Sequence, residues 1–108
     1  MIESAEEFIR LRFSDVPEEY GRASTESAVP DVWREVIERH PEARFWVAQN
    51  KTISLEILQV LAGDPDPRVR AMVASKRKLT PDLLNMLAAD PDESVRLTVA
   101  RHKSVPKT

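Results

Sequence analysis

Residues 68–93 read RVRAMVASKRKLTPDLLNMLAADPDE, and residues 42–67 just before them read EARFWVAQNKTISLEILQVLAGDPDP. Laid over one another without a gap, they share a 26-residue register that runs on into SVRLTVARHKSVPKT at 94–108. Arg44, Arg70 and Arg96 coincide. So do Val47-Ala48, Val73-Ala74 and Val99-Ala100, and likewise Ile53, Leu79 and Val105. Asp64-Pro65-Asp66 falls on Asp90-Pro91-Asp92. Self-similarity at one fixed offset marks a repeat array, in which each unit buries its apolar face against its neighbours.

Each unit reads as two short helices. The first follows Asp-Pro-Asp, whose carboxylates can cap free N–H groups and complement the positive end of the helix dipole. Val69, Met72 and Val73 then fall at helical spacing on one face. The second helix opens at Ser54, or at Thr80-Pro81, an N-cap followed by proline at the first helical position. Ile57, Leu58, Val60 and Leu61, matched by Leu83, Leu84, Met86 and Leu87, make this helix apolar on two sides, as suits a helix packed before and behind. A worn copy lies upstream, where Pro30-Asp31-Val32-Trp33 repeats Pro81-Asp82-Leu83-Leu84 and Ala23 stands where Ala74 does. Ser4-x-x-Glu7 is a capping-box signature for a first helix around Ala5–Phe13, although Arg10 and Arg12 interrupt its apolar pattern.

The stretch VRAMVASKRKLTPDLLNMLAADPDESVRLTVARHKSVP resembles the leucine-rich repeat variant family, a relative of HEAT and armadillo repeats, over 42–108. The family's pattern sets V-R-x-x-V-A, a polar turn, a Thr/Pro step, L-L-x-x-L-A and then D-P. The resemblance implies an all-α fold, a short right-handed α-solenoid of about three to four two-helix repeats. Its usual role is protein interaction, and it implies no chemistry. The expected organisation is one structural domain, with capping helices and a degenerate repeat in 1–41 and two full repeats plus a truncated third in 42–108.

Composition narrows the function classes. A chain of 108 residues with 42% hydrophobic and 31% charged residues suits a soluble globular domain. Cysteine is absent, which removes disulfides, thiolate metal sites and iron–sulfur clusters. No run approaches the roughly 18 apolar residues of a membrane span, and the acidic start is no signal peptide, so a cytoplasmic protein is expected. His40 and His102 stand in linker and turn positions without metal-ligand spacing, and there is no Gly-rich phosphate loop or nucleophile elbow. The chain reads as a non-enzyme without cofactor or metal. Charge is uneven: residues 1–42 hold eleven acids against five Lys/Arg, and 43–108 hold seven against eleven.

Three binding readings follow. The first is a protein-binding module using the polar stripe of the second helices (Asp31, Arg34, Glu56, Gln59, Asp82, Asn85), or Trp46 beside Arg44 as an exposed hot spot. For Trp46 the plainer reading is core packing. The second is nucleic-acid or phosphate binding by the turn cations Lys51, Lys76, Arg77, Lys78, Arg101, His102 and Lys103. If the first helices reach that far, Arg44/Lys51, Arg70/Arg77 and Arg96/Lys103 lie on one stripe. The plainer reading is that cations near a helix C-terminus are stabilised by its dipole, by about 0.3–1 kcal/mol each. Arg70 and Arg96 each sit six residues after an aspartate and can pair with it across the turn. The third is a small inhibitor of the toxin-neutralising kind, suggested by size and the dipolar surface. The last repeat stops at Pro106-Lys107-Thr108, where its second helix would begin. The face bearing Val95 and Val99 is therefore expected to lack cover unless Met86, Leu97 and Val105 fold inward. A homodimer or a partner is expected at that end.

Overall fold

Most helices in this chain begin where the sequence supplies a side-chain acceptor or a proline. A computed structural model of the protein describes residues 1–102, and among them the regular structure is helical, without a strand. The helices are α1 (Ala5–Arg12), α2 (Pro17–Thr25), α3 (Pro30–Arg39), α4 (Arg44–Gln49), α5 (Leu55–Leu61), α6 (Pro67–Ala74), α7 (Pro81–Ala88) and α8 (Glu93–Ala100), with a 3-10 turn at Pro41–Ala43. Ser4 caps α1 by accepting from the Glu7 N–H at 3.0 Å, and the Glu7 carboxylate accepts in return from Glu3 N–H at 2.7 Å. Thr80 caps α7 through Leu83 N–H. Pro17, Pro30, Pro67 and Pro81 each occupy a first helical position, where a missing N–H costs nothing. None of these helices is long and apolar enough to cross a membrane.

The chain contacts group into two units, residues 1–57 and residues 58–108, with the division inside α5. In the first unit α1 packs on α2 and α3, and α4 packs on α2 and α3. Its core holds Ile2, Phe8, Leu11, Trp33, Val36, Val47 and Ile57, with Phe8 and Trp33 edge to face at 5.1 Å between centroids. Ala23 is buried, as its alignment with Ala74 implies. Asn50, in the turn after α4, is fully buried among these residues. Its Nδ2 donates to the carbonyls of Ala23 (2.8 Å) and Glu26 (3.0 Å), while its Oδ1 accepts from the N–H and hydroxyl of Thr52. Lys51 N–H donates to the Ser24 carbonyl beside it. One amide thus ties the C-terminal end of α2 to the α4 turn with every polar function engaged.

In the second unit each Asp-Pro-Asp divides its labour. The second aspartate is the N-cap: Asp66 accepts from Arg68 N–H and Asp92 from Ser94 N–H. The first accepts from the N–H of the second, Asp64 from Asp66 and Asp90 from Asp92, at 2.9 Å each. Asp90 also receives a bidentate guanidinium: Arg70 Nε lies 2.7 Å from Oδ2 and Nη2 lies 3.0 Å from Oδ1. The two side chains are 15% and 7% exposed. Arg70 Nη1 donates to the Asp64 carbonyl at 2.8 Å, and Arg96 Nη1 donates to the Asp90 carbonyl at 2.7 Å. Each arginine therefore reaches the aspartate six residues back through its carbonyl. The carboxylate that Arg70 binds is the one twenty residues ahead.

Two packing expectations change. Ile57, Leu58, Leu61, Leu83, Leu84 and Leu87 are buried, but Val60 is 51% and Met86 50% exposed, so the fourth apolar register position faces solvent. Val95 and Val99, expected to stand uncovered, are buried, because α8 packs on both α6 and α7. The premise for a dimer through that face is thereby removed. Leu97 remains 47% exposed; Val105 and Pro106-Lys107-Thr108 lie outside the described residues. The first helices end at Gln49, Ala74 and Ala100, short of the turn cations, so no continuous helical stripe links Arg70 to Arg77.

Asn50→Ala, which strips two carbonyls of their donor inside the core, is expected to lower stability by about 2–4 kcal/mol in urea unfolding. Arg70 and the Asp92 N–H hold the Asp90 carboxyl below the usual carboxylate range. A depressed folded-state pKa contributes stability that is present above the unfolded pKa of about 3.9 and lost as pH falls through the folded value. Asp90→Asn is expected to destabilise at pH 7 by about 3 kcal/mol and to flatten the pH dependence below about pH 4. Thermal melts across pH 2–7 measure both.

Candidate functional site

The side chains singled out in the sequence fall in both units. In the first unit, Arg34 pairs with Asp31 at 3.3 Å and with Glu56, all three being exposed. Ion pairs this open to water contribute at most about 1 kcal/mol, so the group stays available to a competing partner charge. In the second unit Gln59 and Asp82 line a depression of about 330 Å3 with Thr80, Leu83 and Met86, and Asn85 is exposed on α7. The polar positions there are accompanied by a half-exposed apolar side chain.

Trp46 is half-buried. Arg44 is half-buried and donates its Nε to the Ile37 carbonyl at 2.7 Å. The cation over Trp46 is Arg12, whose guanidinium carbon stands 3.5 Å from the ring centroid. Phe45 meets Trp46 edge to face at 4.9 Å. Arg12 and Trp46, with Ser14, Asp15, Tyr20, Gly21, Ser24 and Gln49, line a groove of about 550 Å3. Arg12, Tyr20 and Gly21 were missed as site residues. The available signals were the break that Arg12 makes in the apolar pattern of α1 and the crowding of all six aromatics into the first 46 residues.

The turn cations differ in exposure. Lys51, Arg77, Lys78 and Arg101 are exposed. Arg77 and Arg101 line a depression of about 490 Å3 with Ala74, Ser75, Thr98 and His102. Lys76 is half-buried, and burial pushes its ammonium below the usual lysine value. His102 is buried with Nε2 2.6 Å from the Lys76 carbonyl, which makes Nε2 the protonated nitrogen. Its ring is turned inward. Lys103 lies outside the described residues. Among those residues no group of three His, Asp or Glu side chains is placed to hold a metal ion. No family model, curated protein or solved structure matches the chain.

Because Arg12 stands over the Trp46 ring, Arg12→Ala is expected to raise acrylamide quenching of the half-buried Trp46. Its cost in stability is expected to be only about 0.5–1 kcal/mol. Trp33, buried against Phe8, supplies the constant component.

Proposed function

We propose that the protein is a non-enzymatic helical-repeat module, a short right-handed α-solenoid, that works by binding another protein in the cytoplasm. The observation that carries this reading is the exposure of Val60 and Met86, equivalent positions one register apart, each about half open to water. Leaving such side chains exposed forgoes roughly 1 kcal/mol of burial apiece. Recurrence of an apolar residue at the same open position of two repeats fits a row used for contact, with Gln59, Asp82 and Asn85 as its polar rim. The turns support the solenoid reading. Asn50 hydrogen-bonds carbonyls 24 and 27 residues back, and His102 faces one 26 residues back, as stacked equivalent turns would do. A second reading, weak polyanion binding, is favoured by Arg77, Lys78 and Arg101, exposed cations with no ion pair among the described residues.

Two measurements separate these readings. Val60→Glu combined with Met86→Glu should leave helical circular dichroism unchanged and abolish capture of the partner from lysate of the native host. Capture that survives the double substitution would move the contact elsewhere. Retention on heparin that falls steeply with salt and disappears on neutralising Lys51, Arg77, Lys78 and Arg101 would establish the polyanion reading instead.

A further inference from the structure

The groove at Arg12 has a chemistry of its own. Of the three arginines on α1 and α2, two are committed to carboxylates. Arg10 pairs with Glu19 at 2.6 Å, and Arg22 pairs with Glu26 and, at 3.8 Å, with Glu7. Glu19 also accepts from Ser14. Arg12 has no ion pair among the described residues; what holds it is the Trp46 face. Stacking engages the flat face of a guanidinium and leaves its N–H edge free for an in-plane, two-toothed acceptor. The groove is therefore lined by a guanidinium that makes no ion pair among the described residues.

The rest of the lining limits the acceptor. Tyr20 is 43% exposed and offers an aromatic surface. A Cβ at Gly21 would meet nothing within 4 Å, so the groove is open along α2 at that point. Asp15, exposed in the connection between α1 and α2, opposes a second negative charge in the same space. A volume of about 550 Å3 holds more than one side chain and is too small for a folded element.

We propose that this groove docks a short extended segment of a partner protein carrying one carboxylate beside an apolar residue. The carboxylate takes the N–H edge of Arg12, and the apolar side chain lies against Tyr20 and the edge of Trp46. This rests on the reading of the chain as a protein-binding module and names one kind of partner for it. A single acidic side chain meets the charge pattern of the lining; a dianion would meet Asp15.

The test uses the full chain, 15N-labelled, titrated with acetyl-Phe-Glu-Phe-amide and separately with acetyl-Phe-Gln-Phe-amide. The acidic peptide is expected to shift the Trp46 indole and Gly21 amide signals and to leave the Trp33 indole still. The glutamine peptide is expected to bind about tenfold more weakly, a difference of about 1.4 kcal/mol. Arg12→Gln should erase that preference, and Gly21→Leu should block both peptides with helical circular dichroism retained. Should Gly21→Leu not fold, Arg12→Lys, which keeps the charge and loses the planar edge, is expected to show the reduced preference. Equal binding of the two peptides overturns the proposal, as does unaltered binding in the Arg12 variants. So does silence at Trp46 and Gly21. Shifts confined to Gln59, Asn85 and Met86 also overturn it, while leaving the parent reading intact; that reading fails separately, if capture of a host protein is never obtained.

Discussion

The second unit depends on one carboxylate. Asp90 accepts two N–H groups of Arg70 and the N–H of Asp92, and its own carbonyl receives Arg96. Through these bonds the guanidinium of α6 is tied to the turn that starts α8, while Arg70 simultaneously holds the Asp64 carbonyl at the start of its own helix. Helices as short as these eight-residue segments are marginal in isolation, since nucleation is unfavourable and few intrahelical bonds follow it. Their starting geometry must come from outside the helix. A buried ion pair adds little net stability against an apolar pair of equal volume, because desolvation offsets attraction. Its effect here is geometric: it permits one orientation of α6 relative to the α8 turn and makes alternatives costly.

Much of this was legible in the residues because capping and burial are local consequences of residue type. Ser4, Thr80 and Asp-Pro-Asp announce helix starts, and Leu58 and Leu84 occupy positions that the register makes internal. The register located the arginines as well, but spacing alone could not tell a carbonyl six residues back from a carboxylate twenty ahead. That choice depends on where the next turn lies in space. Lys51 and the aligned Lys76-Arg77-Lys78 mark the turn after α4 as a cationic surface turn, yet Asn50 beside Lys51 is buried. A fully engaged amide is as acceptable to a core as an aliphatic side chain, and nothing in the composition of a turn reveals which way it points.

Val60 and Met86 failed for the opposite reason. Apolar residues at four positions per helix imply two buried faces, whereas the helices bury three of the four. Periodicity reports which side chains share a face and is silent on whether a neighbour covers it. A single exposed valine is ordinary, since more than half of any protein surface is apolar. The informative fact is the pairing of two such residues at one register position, which the sequence displayed and which only exposure turned into a surface.

The acidic excess of residues 1–42 appears at first to forbid a carboxylate at Arg12. Range settles the matter. At physiological ionic strength exposed charges are screened beyond about 8 Å, so acids far around the surface contribute little inside the groove. Glu19 accepts from Ser14 and pairs with Arg10, and those contacts hold its pKa low. Asp15 is the opposing charge that remains, and it stands in water at the rim. Arg12, by contrast, is fixed against an aromatic face, and a side chain already immobilised loses less rotamer entropy when it binds. Local placement thus favours the cation over the regional balance of charge, and a ligand entering along Gly21 would meet the guanidinium edge close at hand.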